Sequence, residues 1–211
     1  MTRGLRRFHE SRQSHFITFS CYHRQPKFRS PEACDLFLLC LEEMRRRFAM
    51  RIYGYVVMPE HVHLLVSEPE HATLADALHF LKLAFAKRLK VPQVRVRSVD
   101  ANLGLADSRS MPAASTSFWQ KRYYDRNIRD AHEFTVKLRY LHRNPVARGL
   151  VNAPADWKWS SFRHYALREV GTVEIESEWT AADREMKNCA RSARVPEPGL
   201  SFSSRPPKPE T

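Results

Sequence analysis

Tyr55-Val56-Val57-Met58-Pro59-Glu60-His61-Val62-His63-Leu64-Leu65-Val66 is an apolar run broken once, at Met58-Pro59-Glu60. Two β-rich halves joined by a short link read as a hairpin, with one strand over Ile52–Val57 and the next over 61–67. Alternate side chains of a strand leave the same face, so His61 and His63 point one way while Val62, Leu64 and Val66 point the other. A rigid element thus offers two imidazoles together, and imidazole is the commonest metal ligand among side chains. A lone histidine here would read as one bonded to backbone or water. Two on one face make a metal site an equal reading.

The flanking segments extend the pattern. His15-Phe16-Ile17-Thr18-Phe19-Ser20-Cys21-Tyr22 alternates and is rich in aromatic and β-branched residues, so it reads as a strand. Ser30-Pro31-Glu32 opens a helix, with Ser30 as N-cap and Pro31 at the first helical position. Leu36, Leu39, Cys40 and Met44 continue at helical spacing until Arg47-Phe48. Thr73 caps a second helix with Leu74, Leu78, Leu81, Phe85 and Leu89 as its buried stripe. After a weakly patterned stretch, Phe118-Trp119-Gln120-Lys121-Arg122-Tyr123-Tyr124-Asp125 supplies a fourth strand or strand edge. The order β-α-β-β-α-β predicts an α+β, ferredoxin-like (split βαβ) antiparallel sheet with two helices on one face.

One more helix follows. Asp130 and Glu133 have capping-box spacing, and Phe134, Leu138 and Leu141 form an apolar stripe that would dock near the other face. Pro145 disfavours helical geometry at Asn144, so the helix is expected to end there. The organisation read from these elements is a basic N-terminal arm at 1–14 and a single domain at 15–165 with a flexible insertion at 91–117. A C-terminal extension covers 166–211, disordered from about 186.

The 211 residues are 43% hydrophobic, enough for one domain with a real core. Lys and Arg number 35 against 23 Asp and Glu, giving a net charge of +12 and a pI near 9.9. Such an excess points to a polyanionic partner, nucleic acid first. Cys21, Cys34, Cys40 and Cys189 lack Cys-x-x-Cys spacing, and Cys34 and Cys40 fall in a helical pattern, so they read as core residues. No apolar run reaches membrane-spanning length and the first residues lack a signal-peptide core, so a cytoplasmic protein associated with the nucleoid is expected.

Tyr140 and Asn144 lie one turn apart on the last helix, with Lys137 and Glu133 on the same side, bordering its apolar stripe. A tyrosine at such a seam would be half buried, with its hydroxyl able to reach a site. A carboxamide oxygen at the helix end could join two imidazoles as a third ligand. Tyr123, Tyr124 and Tyr165 are also candidate nucleophiles, but only Tyr140 has a ligand-type residue one turn on.

Three ordered segments carry a resemblance: Tyr55 to Leu65, Phe118-Trp119-Gln120-Lys121-Arg122, and Tyr140-Leu141-His142-Arg143-Asn144-Pro145-Val146-Ala147-Arg148-Gly149-Leu150-Val151. Together they resemble the single-tyrosine transposases of the His-hydrophobe-His class, in particular the REP-associated tyrosine transposases related to the IS200/IS605 group. Ala155-Asp156-Trp157-Lys158-Trp159-Ser160-Ser161-Phe162-Arg163-His164-Tyr165 is similar to that subgroup too. The likeness runs from about Phe16 to Tyr165, and the stretch 91–117 lies outside it. It implies His61 and His63 as metal ligands, Tyr140 as nucleophile and Asn144 as third ligand, where many relatives have Gln. Lys121, Arg122, Lys137, Arg143 and Arg148 are candidate DNA contacts.

The implied activity is cleavage and rejoining of single-stranded, hairpin-forming DNA such as REP elements through a 5′-phosphotyrosine, with Mg²⁺ or Mn²⁺ as cofactor. Two imidazoles suit Mn²⁺ better. A phosphodiester resists attack by anions, so charge stabilisation and positioning dominate its catalysis, and an adjacent cation favours the phenolate that attacks. Two other readings stand beside this one. The first is a DNA-hairpin-binding protein without strand-transfer activity. The second is a zinc hydrolase on His61 and His63, with Glu60 as base, although strand parity would send Glu60 to the opposite face. No apolar stripe is left unassigned, so a monomer is favoured, with a dimer as the alternative.

Overall fold

All of β3 (His61–Val66) is buried, because it pairs on both sides in a sheet of order β2-β3-β1-β4. The computed structural model describes residues 13–90 and 117–192. Within them β1 is His15–Ser20, β2 is Ile52–Val57 and β4 is Tyr124–Asn127, all antiparallel to their neighbours. With α1 (Pro31–Arg47) between β1 and β2, and α2 (Leu74–Lys90) between β3 and β4, the chain has the split βαβ arrangement expected from its pattern.

Strand parity divides the core in two. Ile17, Phe19, Val62, Leu64 and Val66 meet Phe37, Leu41 and Met44 of α1 and Leu78, Leu81 and Phe85 of α2 in the larger cluster. Phe16, Val56 and Leu65 face the other way and, with Met58 and Ile128, meet Leu141 of α3 (Ala131–Ala147). Leu39 and Leu89 depart from the expected stripes, at 55% and 37% exposure. Phe37, Leu38 and Leu41 bury instead of Leu39, and Ala77 joins the α2 stripe.

The helix starts follow their caps. Ser30 Oγ accepts from Ala33 N–H (3.3 Å), Thr73 and Asp76 cap each other, and Asp130 Oδ1 accepts from Glu133 N–H (2.7 Å). Glu133 does not complete a capping box. Its carboxylate accepts from Arg129 N–H and pairs with Arg126. The end of α3 differs from expectation: the helix continues through Pro145 to Ala147. A proline in the last turn forfeits only one internal bond. The turn closes through Arg148 N–H to Asn144 O and Leu150 N–H to Pro145 O, with Gly149 at φ 66° past the end.

The fourth strand also shifts, to Tyr124–Asn127. Phe118–Lys121 falls outside this strand but still runs along the end of β1, with Gln120 N–H donating to Ser20 O (2.9 Å). Trp119 packs in the helix-side core, its indole N–H donating to Lys82 O (3.1 Å). Trp119 keeps a single bridge to Cys21. The compact unit reaches Glu176, past Tyr165, since Val173 and Ile175 are buried in the larger cluster. The second unit contains α4 (Glu178–Ser192), so 186–192 is helical where loss of order was expected. Ser177 and Thr180 hydroxyls accept from each other's N–H and stabilise its first turn. The arm at 1–12 and the insertion at 91–116 lie outside the described residues. No helix among the described residues is long and apolar enough to cross a membrane.

The outer edge of β2 is covered by later chain. Val57 N–H donates to Trp159 O, Ser161 N–H to Tyr55 O, and Glu176 N–H to Ile52 O. Unpaired edge groups are thereby satisfied. Ser161 Oγ also accepts from Tyr55 N–H (3.0 Å) and contacts His142 Nε2 of α3 (2.8 Å), while Tyr165 OH donates to Tyr53 O (2.6 Å). The segment 157–165 therefore fastens α3 to the sheet. Gly54 permits the close approach, since a Cβ there would lie 2.7 Å from Leu138 Cδ1.

Candidate nucleic-acid-processing site

The α3 face of the sheet brings the two histidines and the helix together. His61 and His63 are each 5% exposed, with their Nε2 atoms 3.0 Å apart. Asn144 Nδ2 lies 3.1 Å from His63 Nε2. Burial, foremost, holds both imidazoles below their ordinary pKa. His63 is pushed down to about 3, helped by the charges of His61, Lys137 and Arg24. Both rings are therefore neutral, the form that binds metals.

The other nitrogen of each ring has a polar neighbour. Thr18 sits directly across the β1–β3 pair from His63, and its Oγ1 is 2.7 Å from His63 Nδ1. Glu60 Oε1 is 3.2 Å from His61 Nδ1 and accepts from Arg148 (2.7 Å). Glu60 was expected on the opposite face. It lies in the turn before β3, where strand parity does not apply, and it braces the outer side of His61. That position leaves it no role as a base beside the two Nε2 atoms.

The donor set fits a small divalent cation. Two ligands about 2.1 Å from a metal at right angles lie about 3 Å apart, close to the Nε2 spacing here. A half-turn of the Asn144 carboxamide would present its oxygen in place of the nitrogen. Among the described residues no three His, Cys, Asp or Glu side chains cluster as ligands, and the Asn144 amide is the further polar group beside His63 Nε2.

Tyr140 is 50% exposed and its ring stands at 73° to His63, with centroids 5.4 Å apart. Phe16 stacks on His63 (5.4 Å, 25°) and also meets the Tyr140 ring edge-on (5.9 Å), and Lys137 Nζ lies 5.0 Å above the Phe16 ring and 5.9 Å from the Tyr140 ring. Tyr140 opens on a cleft of about 490 Å³ lined also by His61, His63, Thr18, Asn144, Arg24, Arg139, Arg143 and Arg148. The cleft gathers Arg143 and Arg148 of the expected DNA contacts. Lys121 and Arg122 are exposed but do not line it. Thr18, Arg24 and Arg139 were missed, and Glu60 was read as a base and not as a neighbour of His61 Nδ1. Only for Thr18 did a signal exist: it shares the histidines' face of a neighbouring strand.

The sequence profile of the family described as "Transposase IS200 like" matches residues 9–144. The chain belongs to the IS200-like transposase family. It is 24% identical over 132 residues to an Escherichia coli K12 protein described as a REP-associated tyrosine transposase, covering 63% of this chain and 66% of that one. It is 28% identical over 114 residues to a Haemophilus influenzae protein provisionally given the same description, covering 54% and 60%. This IS200-like chain thus spans about two thirds or less of the length of these curated relatives. Its fold is also that of a solved REP-associated tyrosine transposase bound to a REP hairpin, at TM-score 0.60, 18% identity and coverage of 83% and 93%.

Proposed function

We propose that this chain is a metal-dependent single-stranded DNA transesterase that cleaves and rejoins hairpin-forming DNA through Tyr140. The observation that carries the reading is the convergence of Tyr140, the two neutral imidazoles and Asn144 on one arginine-lined cleft. The DNA-hairpin preference is taken from the relatives' descriptions and agrees with the +12 charge.

His61, His63 and Asn144 would hold the divalent ion, Mg²⁺ or Mn²⁺, which supplies polarisation of a phosphoryl oxygen. The chain's own residues do the rest. Thr18 and Glu60 orient the imidazoles so that both Nε2 lone pairs meet in the cleft. Arg139 and Arg143 attract the strand's phosphates, and Tyr140 is placed by its packing on His63 and Phe16. The phenolate oxygen of Tyr140 attacks phosphorus, the P–O3′ bond breaks, and the leaving oxygen takes a proton to become a 3′-hydroxyl. The ester bond is conserved as 5′-phosphotyrosine, so a 3′-hydroxyl can reverse the step without ATP. The protein acts as a monomer in the cytoplasm on nucleoid DNA.

The test is a denaturing gel of wild type and Tyr140→Phe incubated with hairpin oligonucleotides and Mn²⁺. A covalent adduct is expected with wild type only, with binding by Tyr140→Phe kept within a few-fold. Binding without any adduct would leave a non-catalytic hairpin-binding protein. An adduct formed by Tyr140→Phe would move the nucleophile to Tyr123 or Tyr124.

A further inference from the structure

The turn after β1 passes through two consecutive non-glycine residues in the left-handed region, His23 (φ 53°, ψ 25°) and Arg24 (φ 52°). Such backbone is costly for residues with a Cβ and persists where the surroundings impose it. Here they do. Tyr22 N–H donates to Phe118 O (2.8 Å), His23 N–H to Gln120 Oε1 (3.3 Å), and Gln120 N–H to Ser20 O (2.9 Å). Trp119, buried in the core, bridges Cys21. The Phe118–Gln120 segment, bonded along the end of β1, is what grips this turn.

The result of that grip is the placement of Arg24. Its side chain lines the cleft together with Arg139 and Arg143 of α3, although it comes from the end of β1. It is near enough for its charge to act on both His61 and His63. Arg148 in the same cleft is neutralised by Glu60, but no carboxylate among the described residues is in ion-pair contact with Arg24. A guanidinium in this cleft, with no carboxylate partner among the described residues, offers a planar fork that matches a phosphodiester.

We infer that Arg24 is a substrate-binding residue that holds the phosphodiester at or next to the scissile bond, and that Phe118–Gln120 holds Arg24 in place. The inference rests on the reading of the cleft as a DNA transesterase site. It adds a contact on an element other than the nucleophile helix, so the strand is gripped independently of α3.

Binding in the Tyr140→Phe protein tests it apart from catalysis. The probe is a hairpin oligonucleotide with a single-stranded flank whose phosphates are replaced, one at a time, by neutral methylphosphonate, read by fluorescence anisotropy. Arg24→Ala should weaken binding of the unmodified probe roughly tenfold or more, as expected for a charge-assisted contact. That penalty should vanish at one flank position, and Gln120→Ala should show a smaller penalty that vanishes at the same position. Arg24→Gly relieves the left-handed strain, so it should unfold at no lower temperature than its parent and bind as weakly as Arg24→Ala. No loss for Arg24→Ala, a loss equal at every position, or recovery of binding by Arg24→Gly would each overturn the assignment. Wild type that forms no covalent adduct with the same probe would defeat the transesterase reading alone, because the methylphosphonate scan needs no cleavage.

Discussion

Asn144 Nδ2 lies 3.1 Å from His63 Nε2, although 81 positions separate the two residues in the chain. The contact exists because α3 packs Leu141 against Leu65 and Val56, which sets the next turn of the helix over the histidines. If the carboxamide is a ligand, Asn144→Ala weakens Mn²⁺ binding while the fold is kept. Thr18→Val, which removes the partner of His63 Nδ1, should cost about tenfold in the same affinity. Titration of Mn²⁺ followed by electron paramagnetic resonance measures both. Unchanged affinity in Asn144→Ala would remove it from the ligand set.

Val62 alternates with the two histidines and is completely buried on the α1–α2 side. Val62→Ala should lower stability by about 1–3 kcal/mol and leave Mn²⁺ affinity unchanged. Urea unfolding and the metal titration together check it. Equal loss of metal binding in a folded Val62→Ala protein would contradict the two-faced strand.

A Cβ at Gly54 would lie 2.7 Å from Leu138 Cδ1 of α3. Gly54→Ala should destabilise by about 1–3 kcal/mol through overpacking and reduce adduct formation by displacing Tyr140. Leu138→Ala in the same protein reopens the space and should restore part of the adduct yield. A double variant worse than the sum of both singles would refute the steric account.

Ser161 Oγ serves the Tyr55 N–H and His142 at once, in a buried setting. Ser161→Ala leaves both without this oxygen and should cost about 1–3 kcal/mol. Burial, with a smaller contribution from His164, depresses His142 to about 4, so the ring is neutral at pH 7. The loss should therefore be the same at pH 6 and pH 8 (about one unit either side of neutrality). Urea midpoints at the two values decide, and a loss that differs between them would mean that His142 is charged in one.

His15 is fully buried between Asp125 (2.8 Å) and Glu68 (3.1 Å). Burial alone would depress its pKa, but the two hydrogen bonds and the two carboxylate charges together raise it above 6.5. A raised folded value means that the stabilisation is complete below 6.5 and fades as pH climbs through the folded pKa. Stability should fall over that window in wild type and fall less in His15→Gln, as read by urea midpoints. A wild-type profile no steeper than the variant's would show that His15 does not titrate as described.

Local rules made much of this protein legible before any coordinates. Side-chain alternation in β3 placed His61 and His63 on one face, and Ser30-Pro31, Thr73 and Asp130 marked three helix starts. Both depend only on backbone sterics and hydrogen bonds within a few residues. Tyr140 and Asn144 shared a helix face for the same reason. Other features had no local cause. Strand β4 begins only at Tyr124, with Trp119 held in the helix-side core and bridged to Cys21, and α3 ran past Pro145 because its last turn closes on Gly149. Thr18 beside His63 depends on strand register, Glu60 beside His61 on a turn, and Arg24 in the cleft on backbone held from Phe118 and Gln120. Periodicity carries information over one turn or one strand. Which distant residues meet is decided by how the faces pack, and that energy is shared among side chains far apart in the chain.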